Sequence, residues 1–140
     1  MKKIFAIFII SLALAACASE DDVFEISERF YVMQFMEVQF NREDFLGRTI
    51  RYEGIFGLME WYGSDSFYFV YRNVIGCCGP EGTLGFELYM NDKRAPEIGA
   101  WVEVTGILES FIYVDQEFLR LSVTSLIEKD ERGEETVMGF

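Results

Sequence analysis

Two adjacent thiols, Cys77 and Cys78, stand in the run Gly76-Cys77-Cys78-Gly79-Pro80 and are the side chains best suited to chemistry in this chain. In a regular strand, neighbouring side chains point to opposite faces, so both sulfurs act together only where the backbone turns. The flanking glycines and Pro80 supply that turn. Four readings stay open. A disulfide between neighbours must accept Cα atoms about 3.8 Å apart, below the usual range of roughly 4.4–6.8 Å, so it would be strained and reducible. A soft or borderline cation such as Zn²⁺ or Cu⁺ takes two thiolates, with Glu81 or a partner protein completing its shell. One thiol bridging to another chain is the third reading, and a pair of small buried hydrophobes is the fourth.

The remaining cysteine has a different context. Lys2 and Lys3 precede an apolar run from Ile4 to Ala16 that ends in Leu14-Ala15-Ala16-Cys17. This is a charged n-region, an apolar h-region and small residues before a cleavage point. The run is short of the roughly 20 apolar residues that span a bilayer, so it reads as a signal. Leu-Ala-Ala-Cys resembles the lipobox of bacterial lipoproteins, which implies a diacylglyceryl group on the Cys17 sulfur and Cys17 as the new N-terminus. Residues 1–16 are then a lipoprotein signal peptide. The mature chain is expected to be extracytoplasmic, lipid-anchored to the cell membrane or the outer membrane, where disulfides can persist.

Charge and composition exclude several function classes. The formal charge is −12, and loss of Lys2 and Lys3 with the signal takes it to −14. Such a surface repels phosphate backbones, so nucleic acid is not an expected partner. Cations, basic protein surfaces and apolar grooves are better matched. The chain has no histidine, which removes the usual general base near neutral pH and the commonest zinc ligand. No Ser-x-x-Lys motif appears, so the chain reads as a non-enzyme with no assured cofactor, zinc or another thiophilic metal being the candidate. Asp21-Asp22 and Glu134-Glu135 lack the acid spacing and central glycine of a calcium loop and read as solvated charge. Trp61 and Trp101 read as packing at the barrel ends, with a ligand groove as the alternative.

The elements that position the thiols are mostly strands. Residues 17–25 form a polar tether, 26–128 one domain, and 129–140 a charged tail expected to fray. Ser27 is placed to N-cap a helix reaching about Phe40, with Phe30, Met33 and Val38 on its apolar stripe. Asn41 to Gly47 reads as a turn or a single helical turn closed by glycine. From Thr49 to Leu58, Ile50, Tyr52, Gly54, Phe56 and Leu58 alternate with their neighbours, the period of a half-buried strand. After a turn at Tyr62 to Asp65, the run Phe67 to Tyr71 is apolar or aromatic on both faces and reads as a central strand. Alternation continues at Leu84 to Met90, Trp101 to Leu108 and Leu119 to Val123, and Glu109 to Glu117 is placed for a hairpin. The fold class is therefore mainly β: a small OB-like β-barrel of five to six strands with one N-terminal helix, a β-sandwich being the competitor.

Four segments taken in order carry a family likeness. They are Phe45-Leu46-Gly47-Arg48-Thr49-Ile50-Arg51-Tyr52-Glu53-Gly54; Arg72 followed by Cys77-Cys78; Leu84-Gly85-Phe86-Glu87; and Trp101-Val102-Glu103-Val104-Thr105-Gly106. From about Ile26 to Lys129 this order resembles the soluble C-terminal domain of YcgQ-like proteins, a bacterial group described as permease subunits. The resemblance implies an OB-like barrel beside a membrane, a multi-spanning permease as partner, and a link to metal handling. It places Glu81 where those proteins carry an acid after the cysteine pair, and here a lipid stands in for their transmembrane helices. Arg72 is expected to brace the cysteine turn by pairing with an acid, an exposed strand arginine being the alternative.

Overall fold

The computed structural model describes residues 22–61 and 65–139. The expected signal peptide, the expected lipidation site at Cys17 and most of the expected turn at Tyr62 to Asp65 lie outside the described residues. Strand β1 (Val23–Glu25) leads through a 3₁₀ turn (Glu28–Phe30) to helices α1 (Tyr31–Phe40) and α2 (Arg42–Phe45). Then come β2 (Thr49–Glu60), β3 (Ser66–Gly76), β4 (Gly79–Tyr89), β5 (Trp101–Tyr113), β6 (Gln116–Glu128) and β7 (Thr136–Met138).

The sheet order β1-β2-β5-β6-β4-β3-β7 closes on itself because β2 also pairs with β3. Five long strands thus make a barrel, and β1 and β7 are added to it. Every barrel pairing is antiparallel except β4 with β6, which run parallel in the register Leu88 to Leu121. Closure rules out the sandwich, which leaves two open sheets.

Period-two alternation accounts for the interior. Ile50, Tyr52 and Phe56 of β2 are buried, with Val70 of β3, Phe86 and Leu88 of β4, Val102, Val104 and Leu108 of β5, and Leu121 and Val123 of β6. The Tyr52 hydroxyl donates to the Val70 carbonyl at 2.8 Å and accepts from the Phe86 amide at 3.0 Å, which ties β2 across the barrel to β3 and β4. Burial pushes its ionisation far upward, so the phenol stays neutral. The tip between β5 and β6 is a two-residue turn with Val114 at φ 46° and Asp115 at φ 63°, as a tight hairpin of this kind requires.

The helix departs from expectation. Ser27 has extended N-cap backbone, yet its hydroxyl lies 3.0 Å from the Gln34 amide oxygen and caps no backbone amide. The buried stripe of α1 is Tyr31, Phe35 and Val38, at the i, i+4, i+7 spacing. Phe35 packs against both Tyr52 and Phe86, closing one end of the barrel. Full burial of such a ring contributes roughly 1.5–3 kcal/mol. Phe30 and Met33, expected on the inner stripe, instead lie 46% and 62% exposed. The tight 3₁₀ turn ends at Phe30, which rotates the register of the helix it feeds.

Both ends of the domain are more ordered than their composition predicts. Val23–Glu25, the last residues of the expected tether, pair in parallel with Thr49–Arg51. The charged tail docks rather than frays: Thr136–Met138 pair in parallel with Asn73–Ile75. The physical reason lies in a buried arginine that grips the tail.

Candidate functional site

Strand β3 carries two chemically distinct positions. At its far end, Gly76 pairs with Gly79 and leaves Cys77 and Cys78 as the whole turn. Gly79 adopts φ +126° and Gly82 φ +139°, conformations that side chains disfavour, so glycine at both positions allows this tight reversal. The register slips between Val74 and Ile75, so Glu81 is an extra residue on the β4 side. Both cysteines are exposed, which overturns the reading of a buried hydrophobic pair. Their sulfurs lie on one side of the turn, 3.3 Å apart.

At that spacing the sulfurs are not bonded to each other. Two thiolates on one tetrahedral Zn²⁺, each with a bond of about 2.3 Å, sit roughly 3.8 Å apart, a small opening from the observed separation. Glu81 does not join them. Its carboxylate folds back over the Cα of Gly76 and lies 3.3 Å from where a Cβ on Gly139 would sit. Among the described residues, no three cysteine or carboxylate side chains converge with metal-binding geometry. The turn therefore offers two sulfur ligands facing solvent, and a complete shell needs donors from elsewhere.

A few residues back along β3, Arg72 is 2% exposed. Its Nε donates to the Glu53 carbonyl at 2.9 Å. One Nη donates to the Glu28 carboxylate and to the Glu134 carbonyl, both at 2.9 Å. The guanidinium lies 4.9 Å from the Tyr31 ring centroid and 4.8 Å from that of Trp101. Trp101 is itself buried, and its indole donates to the Glu53 carboxylate at 3.0 Å. Glu28 is held below the usual carboxylate range by the Glu134 amide and then by Arg72. Gly133 passes so close to Trp101 and Glu28 that a Cβ there would collide with them. Arg72 thus clamps the tail, and the tail, through β7 and the Gly139 amide bonded to the Ile75 carbonyl, lines the base of the cysteine hairpin.

The barrel carries two hollows, the first unforeseen in the sequence and the second at Trp61, where a ligand groove was the alternative to packing. One, of about 880 Å³, is lined by Phe30, Met33, Met36 and Phe40 of the helical segment with Val137 and Met138. The other, of about 280 Å³, lies on the outer barrel face beside Trp61. The aromatic run Phe67 to Tyr71 was the signal for the second. Its alternate residues line the inside of the barrel, and its odd-numbered rings need another surface to cover.

The chain matches the family described as the DUF1980 C-terminal domain over residues 12–136. No match was found among curated proteins or among solved structures.

Proposed function

The chain belongs to the DUF1980 C-terminal domain family, and from that premise we propose that it is a lipid-anchored, extracytoplasmic binding domain that presents Cys77 and Cys78 to a thiophilic cation. One observation carries the reading: two exposed sulfurs 3.3 Å apart on the same side of a hairpin turn. Zn²⁺ and Cu⁺ fit the donor set, since both accept thiolate and neither requires the histidine that the chain lacks. Two ligands hold such an ion incompletely, which favours a site that receives or hands on its metal at a protein contact. A multi-spanning permease at the same membrane is the partner that would supply the remaining donors. The lipid on Cys17 and a short polar tether keep the hairpin within reach of it. No catalytic step is required of the domain, and its acidic surface gathers cations while it repels nucleic acid.

Metal content and thiol titration of the purified protein test this directly. The expected result is one metal per chain at saturation, absent in a Cys77→Ser, Cys78→Ser variant, with protons released as the thiolates bind. A chain that takes up no metal and shows no titratable thiol under oxidising conditions would replace the metal site by a vicinal disulfide.

A further inference from the structure

We infer that the outer face of β3 and β4 beside Trp61 is a second binding site, for a neutral polyhydroxylated ligand such as a short stretch of glycan. The first ground is topological. Numbering only the five barrel strands, β3 and β4 are the second and third, Trp61 enters the loop between the first and second, and Glu117 and Phe118 follow the loop between the fourth and fifth. In OB barrels, that face and those two loops are where oligonucleotides and oligosaccharides bind. The cleft of about 280 Å³ is lined from all four places, by Phe67 and Phe69, Thr83 and Glu87, Trp61, and Phe118.

The second ground is chemical. Trp61 lies 5.5 Å from the Phe67 ring and 4.8 Å from Phe118, centroid to centroid, giving an aromatic surface on which the apolar face of a sugar ring can rest. Gly85 lies on the floor, where β3 and β4 approach so closely that a Cβ would strike the Val70 carbonyl. Donors and acceptors border the rings: Arg42, bridged to Glu117 at 3.5 Å, with Gln39, Thr83 and Glu87. Burial raises the ionisation of Glu87, with the Arg120 charge and the Trp61 indole opposing it, which marks a carboxylate short of water. A ligand offering both hydroxyl donors and hydroxyl acceptors satisfies this mixed edge. The net charge of −12 disfavours an oligonucleotide, and a cation would meet Arg42 at the rim. The volume lies just below the roughly 300 Å³ where enclosed small-molecule sites begin, which suits a chain laid across the face better than a ligand engulfed.

The test uses the full chain in a detergent without a sugar headgroup, titrated with chitohexaose, cellohexaose and maltohexaose. Tryptophan emission reports on the site, since Trp101 is 2% exposed and Trp61 faces the cleft. At least one glycan is expected to shift the emission saturably. Binding followed by calorimetry is expected to weaken roughly tenfold or more in Trp61→Ala and in Glu87→Gln, as for loss of a central contact. Thr83→Trp, at an exposed position, fills the cleft from a site where folding tolerates a large side chain and is expected to abolish binding. The Cys77→Ser, Cys78→Ser variant is expected to bind glycan normally, so the two sites fail or stand separately. No binding of any of the three glycans by a chain with native circular dichroism overturns the proposal. Binding unchanged in all three cleft variants also overturns it, as does tighter binding of tetramethylammonium in the same cleft.

Discussion

Arg72 on β3 and the Cys77–Cys78 pair on the turn that ends this strand have opposite circumstances. The arginine is buried, its bonds are taken up by Glu28, Glu53 and Glu134, and two aromatic rings sandwich its charge. The thiols are exposed on a turn and, among the described residues, have no hydrogen-bond partner beyond each other. A buried charge held by three hydrogen bonds and faced by two rings is committed to the fold, so its work is structural. A pair of sulfurs exposed at a hairpin tip contributes little to folding, and in the proposed function its chemistry is directed outward. The tail links the two, because the segment that Arg72 grips is the one that flanks the hairpin base.

The contrast is broken most severely at the arginine. Arg72→Ala is expected to destabilise the fold by about 3–5 kcal/mol in urea denaturation, since it empties a buried site and leaves polar partners unmatched. A loss of under about 1 kcal/mol would mean that the clamp is dispensable. Gly133→Ala is expected to cost about 1–3 kcal/mol by pushing the tail away from Trp101. Hydrogen exchange at Asn73 and Val137 is then expected to quicken ahead of the barrel core.

A smaller effect follows from Glu28. Its folded ionisation lies below the unfolded value, so its contribution is present above the unfolded pKa and is lost as pH falls through the folded one. Urea midpoints measured from pH 7 downward are expected to decline below about pH 4.5. Glu28→Gln is expected to flatten that part of the decline. Because the Glu28 side chain is 47% exposed, solvent screens the pair and the effect stays modest. The smallest effect on folding belongs to the thiols. In metal-free protein, Cys77→Ser with Cys78→Ser is expected to shift stability by no more than about 0.5 kcal/mol. A larger loss would make the pair structural.

Much of the barrel was legible in the sequence, because a long half-buried strand writes its period plainly. Ile50, Tyr52, Phe56, Val102, Val104 and Leu108 all face the interior as their alternation predicts. The turn at Cys77 and Cys78 was legible from its glycines. Strands β1 and β7 were not, since three residues carry no measurable period and β7 follows a run of charges. The helix face was misread because Phe30 and Met33 are as apolar as Tyr31 and Phe35, so that hydrophobicity alone could not choose the register. Arg72 was expected to pair with an acid and does so with Glu28, but its burial and its grip on the tail were hidden for a different reason. Its partners Glu28, Glu53, Trp101 and Glu134 are scattered along the chain, and only the closed barrel assembles them. The outer aromatic cleft was partly visible in Phe67 to Tyr71, yet the carboxylates and the arginine that border it come from other elements.

X-ray absorption at the metal edge tests the central claim most directly, because it counts sulfur neighbours. For protein loaded with one equivalent of Zn²⁺, two sulfur scatterers at about 2.3 Å are expected, with lighter atoms filling the shell, and none in the Cys77→Ser, Cys78→Ser variant. A shell of oxygen and nitrogen alone, unchanged by that substitution, would contradict the assignment of the hairpin thiols as the metal site.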